Sequence, residues 1–328
     1  MSRIEDEIKR LMQMCIGCGK CTRHCPSARH DGCDPHGIMT SGEGNILDCI
    51  ACGTCSRVCS VTDPLTVMKS LIFLKRRGQF PDHFERTGYI HPMEDCPSRT
   101  ELDPKWDGEG IHIMPGCVVK AKVPYLEYAS AVALRHLGYR CKELEGNCCC
   151  MRPAQFIDMA ESEKATYRSG VMENTNGDMV LALCHGCSEE MIAASYDVDN
   201  IIRFFHDNID RLPKLAHRLK VAIQPGCQAE EFLIEMRAVV EAIGCEVTNY
   251  RIGCCGKDTR VHPSLMEERM EECSGADMIV AACPKCFTKY DAYPNGKPVL
   301  YLAELVAVAA GDRSSLKYHK IRTDIIRS

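Results

Sequence analysis

Two stretches of the chain decide its fold. Residues 112–150 read HIMPGCVVKAKVPYLEYASAVALRHLGYRCKELEGNCCC, and residues 222–256 read AIQPGCQAEEFLIEMRAVVEAIGCEVTNYRIGCCG. Each opens on a short apolar run, turns at Pro-Gly-Cys and continues into a helical period. Each helix stops at a glycine, Gly138 or Gly244, well placed to cap the carboxyl end in a left-handed conformation. In the second stretch Phe232, Leu233, Met236, Val239, Val240 and Ile243 hold the helical period. A second short strand then leads to adjacent cysteines. The parallel continues at residues 179–191, MVLALCHGCSEEM, and 278–290, MIVAACPKCFTKY, each an apolar strand ending in Cys-x-x-Cys. Helix-like stretches follow at 201–209 and 300–311. The order strand, helix, strand, helix, strand, twice over, predicts two tandem α/β units with short, mostly parallel sheets. The cysteines fall just beyond strand carboxyl ends, where open parallel sheets place their sites.

The first cysteine set is Cys117, the triplet Cys148, Cys149 and Cys150, then Cys184 and Cys187. The second is Cys227, Cys254, Cys255, Cys283 and Cys286. Five thiols are more than one zinc or one ordinary cubane takes. Adjacent cysteines do not easily serve one small ion, but they suit different irons of a larger cluster. The spacing therefore points to a larger or unusual iron–sulfur assembly.

The amino-terminal segment carries a different pattern. Residues 15–26 read CIGCGKCTRHCP and residues 49–60 read CIACGTCSRVCS. Each run has two-residue gaps followed by a three-residue gap. This is the two-cluster ferredoxin arrangement, in which the fourth cysteine of each run serves the other cluster. Cys15, Cys18, Cys21 and Cys59 are assigned to one cubane; Cys49, Cys52, Cys55 and Cys25 are assigned to the other. Gly17, Gly19 and Gly53 let the backbone wrap closely and point N–H groups at sulfide. A pair of zinc knuckles has the same ligand count; the doubled spacing and Pro26 favour iron–sulfur. The second run ends in Ser60 rather than proline. Two filled cubanes make a wire that hands single electrons onward. Cys33 lies in an insert without a partner in the pattern and reads as a loop thiol.

The chain has 328 residues and 24 cysteines, with 40 Lys plus Arg against 45 Asp plus Glu, a formal charge of −5. A mildly acidic chain without a basic stripe argues against nucleic acid as the main partner. A hydrophobic content of 45% argues against disorder. The opening MSRIEDEIKRLMQMC has no signal-peptide apolar region, so a reducing cytoplasm is expected, where thiols ligate metal or fill cores rather than pair. Residues 64–77 read as a helix, with Leu65, Met68, Leu71, Ile72 and Leu74 roughly on one side. The expected organisation is α+β: a two-cluster ferredoxin-like helical module at 1–77, a linker at 78–110, α/β units at 111–218 and 219–312, and a basic tail at 313–328. Five cysteines stay outside these sets, Cys33, Cys96, Cys141, Cys245 and Cys273, and Cys150 is a sixth left over if the first set uses five thiols. Of these, Cys141, Cys245 and Cys273 read as small apolar core residues.

The tandem motif of a lone cysteine, Cys-Cys-Gly and Cys-x-x-Cys resembles the catalytic subunit of heterodisulfide reductase. The amino-terminal module resembles the small iron–sulfur subunit of that enzyme, and the fused order resembles its single-chain form. The resemblance covers nearly the whole chain. It extends to a wider CCG-domain family that includes iron–sulfur subunits of glycolate, lactate, succinate and fumarate enzymes. It implies two noncubane [4Fe–4S] clusters beside the two cubanes, one held by Cys227, Cys254, Cys255, Cys283 and Cys286, the other by Cys117, Cys148, Cys149, Cys184 and Cys187. It further implies a place in methanogenesis and a substrate, the mixed disulfide of coenzymes M and B, cleaved by two single electrons. One departure stands out. Cys255 is followed by Gly256, but Cys150 occupies the matching place in the first copy. A second register pairs Cys149 with Cys150 and puts Met151 at the glycine; the sequence leaves both open.

Lys120, Lys122, Arg152, Lys257 and Lys285 lie close to these motifs. They are candidates to meet anionic groups of a thiol substrate, with plain surface charge as the alternative. His185, inside Cys-His-Gly-Cys, is a candidate hydrogen-bond or proton donor to a leaving thiolate. No GxGxxG fingerprint is present, so no flavin or nicotinamide of its own is expected. The electron donor is then a partner: a flavoprotein, a hydrogenase or formate dehydrogenase module, or a cytochrome, within a larger hetero-oligomeric complex. The expected location is cytoplasmic, with any membrane association made through a partner. The leading expectation is a disulfide-reducing subunit. The alternatives are an electron-transfer subunit of a 2-hydroxy-acid or succinate/fumarate dehydrogenase using quinone, and a non-catalytic cluster scaffold or maturation factor.

Overall fold

The structure is a computed structural model and describes residues 3–76, 82–144, 149–152, 161–173, 175, 177–227, 229–249, 252–257, 259–294 and 296–321. Cys148, and the parts of the expected linker and tail at 78–81 and 322–328, lie outside the described residues. The chain forms two compact units.

The first unit is built from the amino-terminal segment together with Cys254–Arg269. Its helices are α1 (Arg3–Gln13), α2 (Lys20–Arg23), α3 (Pro35–Ser41), α4 (Thr54–Arg57) and α5 (Pro64–Arg76). Ile8 and Leu11 of α1 meet Val67, Met68 and Ile72 of α5 in a core that Ile38, Met39 and Ile46 complete. Leu71 and Leu74 pack half-buried against this core, so Met68, Leu71, Ile72 and Leu74 share the expected side of α5; Val67 joins them fully buried, and Leu65 is half-buried. Cys33 is in a loop, as expected, but is fully buried in this same core.

The second unit opens with the short helices α6 (Phe84–Thr87) and α7 (Ser98–Glu101). The first repeat follows: β1 (Ile111–Met114), α8 (Gly116–Lys122), α9 (Tyr125–His136), β2 (Cys141–Glu143), α10 (Glu161–Glu173), β3 (Val180–Ala182), α11 (His185–Ala193), β4 (Asp199–Asn200) and α12 (Ile201–Asp207). The second repeat is β5 (Lys220–Gln224), α13 (Leu233–Ala242), β6 (Glu246–Asn249), α14 (His262–Glu272), β7 (Met278–Ala281), α15 (Pro284–Asp291), β8 (Val299–Tyr301) and α16 (Leu302–Ala309). The start of α14 belongs to the first unit.

Both sheets are parallel throughout their paired strands, in the orders β2-β1-β3-β4 and β6-β5-β7-β8. The central strands β1, β3 and β7 are buried along their whole length, as β5 is after Lys220. That is why they read as unbroken apolar runs rather than alternations. Each sheet has a fourth strand that the sequence does not show. β4 and β8 are two and three residues long, too short to carry a period, and β8 reads from sequence as part of the helix after it. The Pro-Gly-Cys helix of the first repeat is also split. Pro124 pushes Val123 out of helical backbone, so α8 ends there and α9 begins anew.

Gly138 and Gly244 do cap the helices, with φ of +80° and +104°. In each case the residue after the glycine donates back five positions, Tyr139 to Leu134 and Cys245 to Val240, both carbonyls inside the helix. The repeats pack reciprocally: α9 lies on α16, and α12 lies on α13. An internal two-fold repeat requires that swap. Among the described residues, no helix is long and apolar enough to cross a membrane. Within the expected tail, Ser315 and Leu316 are buried and His319 has no exposed side-chain area, so residues 314–319 pack on the chain itself.

Candidate functional site

In the first unit, α2 and α4 start in the same way. Each follows a left-handed glycine, Gly19 or Gly53, and each buries a cysteine, Cys21 or Cys55. The fold then brings distant thiols together. Cys25 stands within electrostatic reach of Cys49, Cys52 and Cys55. Cys15, Cys18, Cys21 and Cys59 line one small cavity of about 20 Å³. Cys59 thus lies by the first three cysteines of the first run, and Cys25 by the first three of the second, the proximity that the crossed assignment requires. Among the described residues, no three or more Cys, His, Asp or Glu side chains are arranged to hold a single metal ion. A four-iron cage binds one thiolate at each corner iron, so its ligands surround it at a distance. The chemistry of the donor set, all thiols with backbone N–H groups turned toward them, fits such a cage.

The charge around Cys49 also fits. Its pKa is drawn down to about 7, chiefly by a hydrogen bond from the Cys33 thiol and against the effect of burial. The Ala51 N–H, 3.4 Å from its sulfur, and the charges of Lys257 and Lys69 add to this. Burial instead pushes Cys25 up to about 11 and Cys55 up to about 12. Lys257, expected beside a substrate, therefore faces a ferredoxin cysteine. The segment around it is anchored on the module. Arg260 pairs with Asp48 at 3.1 Å and donates to the Asp31 carbonyl at 2.6 Å. Glu268 meets Arg29 at 3.1 Å and His30 at 2.7 Å. Cys254 and Cys255 belong to this segment and are buried. The Cys255 carbonyl lies 2.6 Å from His262 Nδ1, and Arg269 donates to the Cys254 carbonyl at 3.4 Å.

In the second unit, Cys117 begins α8, just past β1, and Cys184 and Cys187 begin α11, just past β3. Since β1 and β3 are neighbours whose connections leave in opposite directions, their carboxyl ends form the crevice where such sheets bind ligands. The thiols are paired there. Cys117 donates to Cys149, and Cys187 lies within hydrogen-bonding reach of both Cys150 and Cys184. The Cys184 pKa is drawn down to about 7, first by Cys187 and against burial, with the backbone N–H groups of Cys187 and Gly186 and the charge of Arg152 helping. Cys283 repeats this at the start of α15, its pKa lowered first by Cys286, against burial, with the N–H of Lys285 contributing. Cys283 also lies within electrostatic reach of Cys184, so the packing of the repeats brings the two Cys-x-x-Cys turns near one another. Gly116 and Gly226 make this possible. Their φ values are +71° and +98°, and a Cβ would lie 2.8 Å from Cys187 Sγ in one case and 2.8 Å from Cys283 Cβ in the other. Buried Gln224 accepts from the Gly226 N–H at 3.0 Å and donates to the carbonyls of Ile252 and Gly253 at 3.0 and 2.6 Å, tying the Cys227 turn to the two residues just before Cys254.

The other candidates divide. Lys120 is held between Glu127 and Glu143, and Lys122 is paired with Glu94, so their charges are matched within the fold. Arg152 lies beside Cys184 and binds Glu189 at 2.7 Å and the Gly186 carbonyl at 3.2 Å. His185 is buried, edge-on to Phe232 at 5.1 Å, with Glu231 3.6 Å away. Lys285 is half-buried beside Cys283. Cys141, Cys245 and Cys273 are buried, as core residues should be, and Cys96 lies 3.1 Å from the Ser98 hydroxyl. Sequence reasoning does not reach Tyr301. It is fully buried, donates to the Leu183 carbonyl, and is kept a neutral phenol by burial and by the nearby thiols of Cys184, Cys283 and Cys187. Nothing in LYLAEL marks it; only the packing of one repeat on the other brings it to the cysteines.

Residues 7–60 match the family described as 4Fe-4S dicluster domain, and residues 221–290 match the cysteine-rich domain family CCG. The chain is 26% identical to a subunit of the ferredoxin/F(420)H(2)-dependent CoB-CoM heterodisulfide reductase of Methanosarcina acetivorans, over 61% of this chain and 89% of that one. It is 24% identical, over the same shares, to the corresponding subunit of the ferredoxin:CoB-CoM heterodisulfide reductase of Methanosarcina mazei. A subunit of the fumarate reductase (CoM/CoB) of Methanothermobacter marburgensis is 22% identical over 83% of this chain and 55% of that one.

Proposed function

We propose that the chain, which joins a 4Fe-4S dicluster domain at residues 7–60 to a cysteine-rich CCG domain at residues 221–290 and is similar to subunits of heterodisulfide reductases, is the disulfide-reducing subunit of such an enzyme. The observation that supports this reading is the closeness of the two Cys-x-x-Cys turns, Cys184/Cys187 and Cys283/Cys286, whose half-buried first cysteines lie within electrostatic reach of each other and of buried Tyr301. A disulfide has two sulfurs, and two neighbouring thiol-lined turns offer a seat for each.

The residues that would hold clusters are the two crossed ferredoxin sets and the cysteines of the two CCG units; when bound, the clusters would supply single electrons to the disulfide. The remaining roles belong to the chain. The N–H groups at the starts of α11 and α15 offset negative charge on Cys184 and Cys283. Arg152 adds a positive charge beside Cys184, in reach of an anionic thiol substrate. Tyr301 and the Phe232–His185 pair supply a water-poor wall. Arg260 and Glu268 fix the Cys254–Cys255 segment to the module that receives electrons. That donor is a separate partner of flavoprotein, hydrogenase, formate dehydrogenase or cytochrome type.

The test uses chain purified without oxygen. Iron content is expected to be about sixteen per chain, four in each of four clusters. Reduced viologen should be oxidised on addition of the CoM–CoB disulfide, and Cys184→Ser and Cys283→Ser should each abolish that turnover. About eight irons and no disulfide-dependent oxidation would sink the proposal. A second reading, an electron-transfer subunit of a fumarate- or 2-hydroxy-acid-linked enzyme, is favoured by the third relative, whose match spans both modules. It predicts oxidation by a quinone analogue and none by disulfide.

A further inference from the structure

The first CCG unit presents three adjacent cysteines, Cys148 to Cys150, where the second presents Cys254, Cys255 and then Gly256. If Cys148 and Cys149 are the equivalent pair, Cys150 stands in the glycine's place. If Cys149 and Cys150 are the pair, Met151 does.

The backbone discriminates between these registers. Gly256 is in the left-handed region at φ +76°, and a Cβ there would lie 2.8 Å from the Cα of His262. In the first unit that conformation falls on Met151, at φ +62°, and not on Cys150. A residue with a side chain adopts it only where its surroundings impose it. Met151 is fully buried, so its packing can hold the backbone there. Thiol placement is an independent observation. Cys150 shares one buried cluster with Cys117, Cys184 and Cys187 and is within hydrogen-bonding reach of Cys187, while Cys117 donates to Cys149. Cys149 and Cys150 are thus both directed at the other cysteines of the set.

We propose that Cys149 and Cys150 are the cluster-binding pair of the first CCG unit, with Met151 in the place of Gly256, so that Cys149 and Cys150 take the two ligand positions that the family resemblance gave to Cys148 and Cys149. The full set is then Cys117, Cys149, Cys150, Cys184 and Cys187. This rests on the reading that the first unit holds an iron–sulfur cluster.

Full-length chain prepared without oxygen tests the assignment, with iron and acid-labile sulfide counted and the Mössbauer spectrum recorded. Cys150→Gly writes Cys-Cys-Gly into residues 148–150; it and Cys150→Ser are each expected to lose about four irons per chain. Cys148→Ser should lose none. The signals of the ferredoxin-module clusters should persist in every variant and so report that it folds. Full iron in Cys150→Gly, or loss of iron in Cys148→Ser, overturns the assignment. Cys187→Ser separates this from the underlying reading. If Cys187→Ser loses iron and Cys150→Gly does not, only the register is wrong. If Cys187→Ser also keeps all the iron, the first unit carries no cluster and both fall.

Discussion

Replacing His319 with asparagine is expected to destabilise the chain by about 3–5 kcal/mol, the usual cost of removing one member of a buried charged group. The imidazole has no exposed surface and sits between two carboxylates, Glu304 at 3.0 Å and Asp291 at 3.4 Å. Those carboxylates are themselves buried. Rings close the site, with Tyr125 at 5.5 Å and Phe287 at 5.3 Å. Burial would lower the imidazole pKa, but the charges and hydrogen bonds of Glu304 and Asp291 outweigh it and raise the pKa to about 10. The sign of the pH dependence follows. A folded pKa above the ordinary value of about 6.5 contributes stability that is complete below about pH 6.5 and is lost as pH rises through about 10. Urea midpoints measured from pH 6 to pH 10 should fall steeply for the unsubstituted chain and more gently for His319→Asn. Parallel slopes would mean that His319 is not charged in the folded state.

Gly226→Ala is expected to damage both stability and metal content. At φ +98° any side chain is strained by about 1–2 kcal/mol, and the new Cβ would stand 2.8 Å from Cys283 Cβ, an overpacking that adds about 1–3 kcal/mol. Relief requires Cys283 or the turn bearing Cys227 to move, so about four irons per chain should be lost with the stability. Gly311→Ala is the control. Its φ is +96° and nothing lies within 4 Å of a Cβ there, so it should show the strain without the loss of iron. Equal iron in the two variants would mean that the Pro-Gly-Cys turn does not position the cysteines.

Much of this was legible in the sequence. The ferredoxin sets could be read because four cysteines at fixed gaps around glycines encode a wrapping backbone locally. The central strands could be read because burial on both faces makes every residue apolar. The glycine caps could be read because only glycine takes that backbone freely. What the sequence hid has a common cause. β4 and β8 are too short to show a period. Cys33 looks like a solitary loop thiol until the chain folds it against Cys49. The salt bridge of Arg260 to Asp48 joins residues far apart in the chain, and no local pattern announces such a partner.

By itself, then, the sequence determined a cluster-binding helical module and two parallel α/β repeats with thiols at their strand ends, because those features are set by neighbours within a few tens of residues. Only the tertiary structure decided which thiols meet, that the Cys254 segment sits on the ferredoxin module, that Tyr301 lies near Cys184 and Cys283, and that the left-handed turn after the cysteine pair falls on Met151. Those are outcomes of packing. A backbone conformation that a methionine adopts only under the compulsion of its surroundings cannot be read from the methionine.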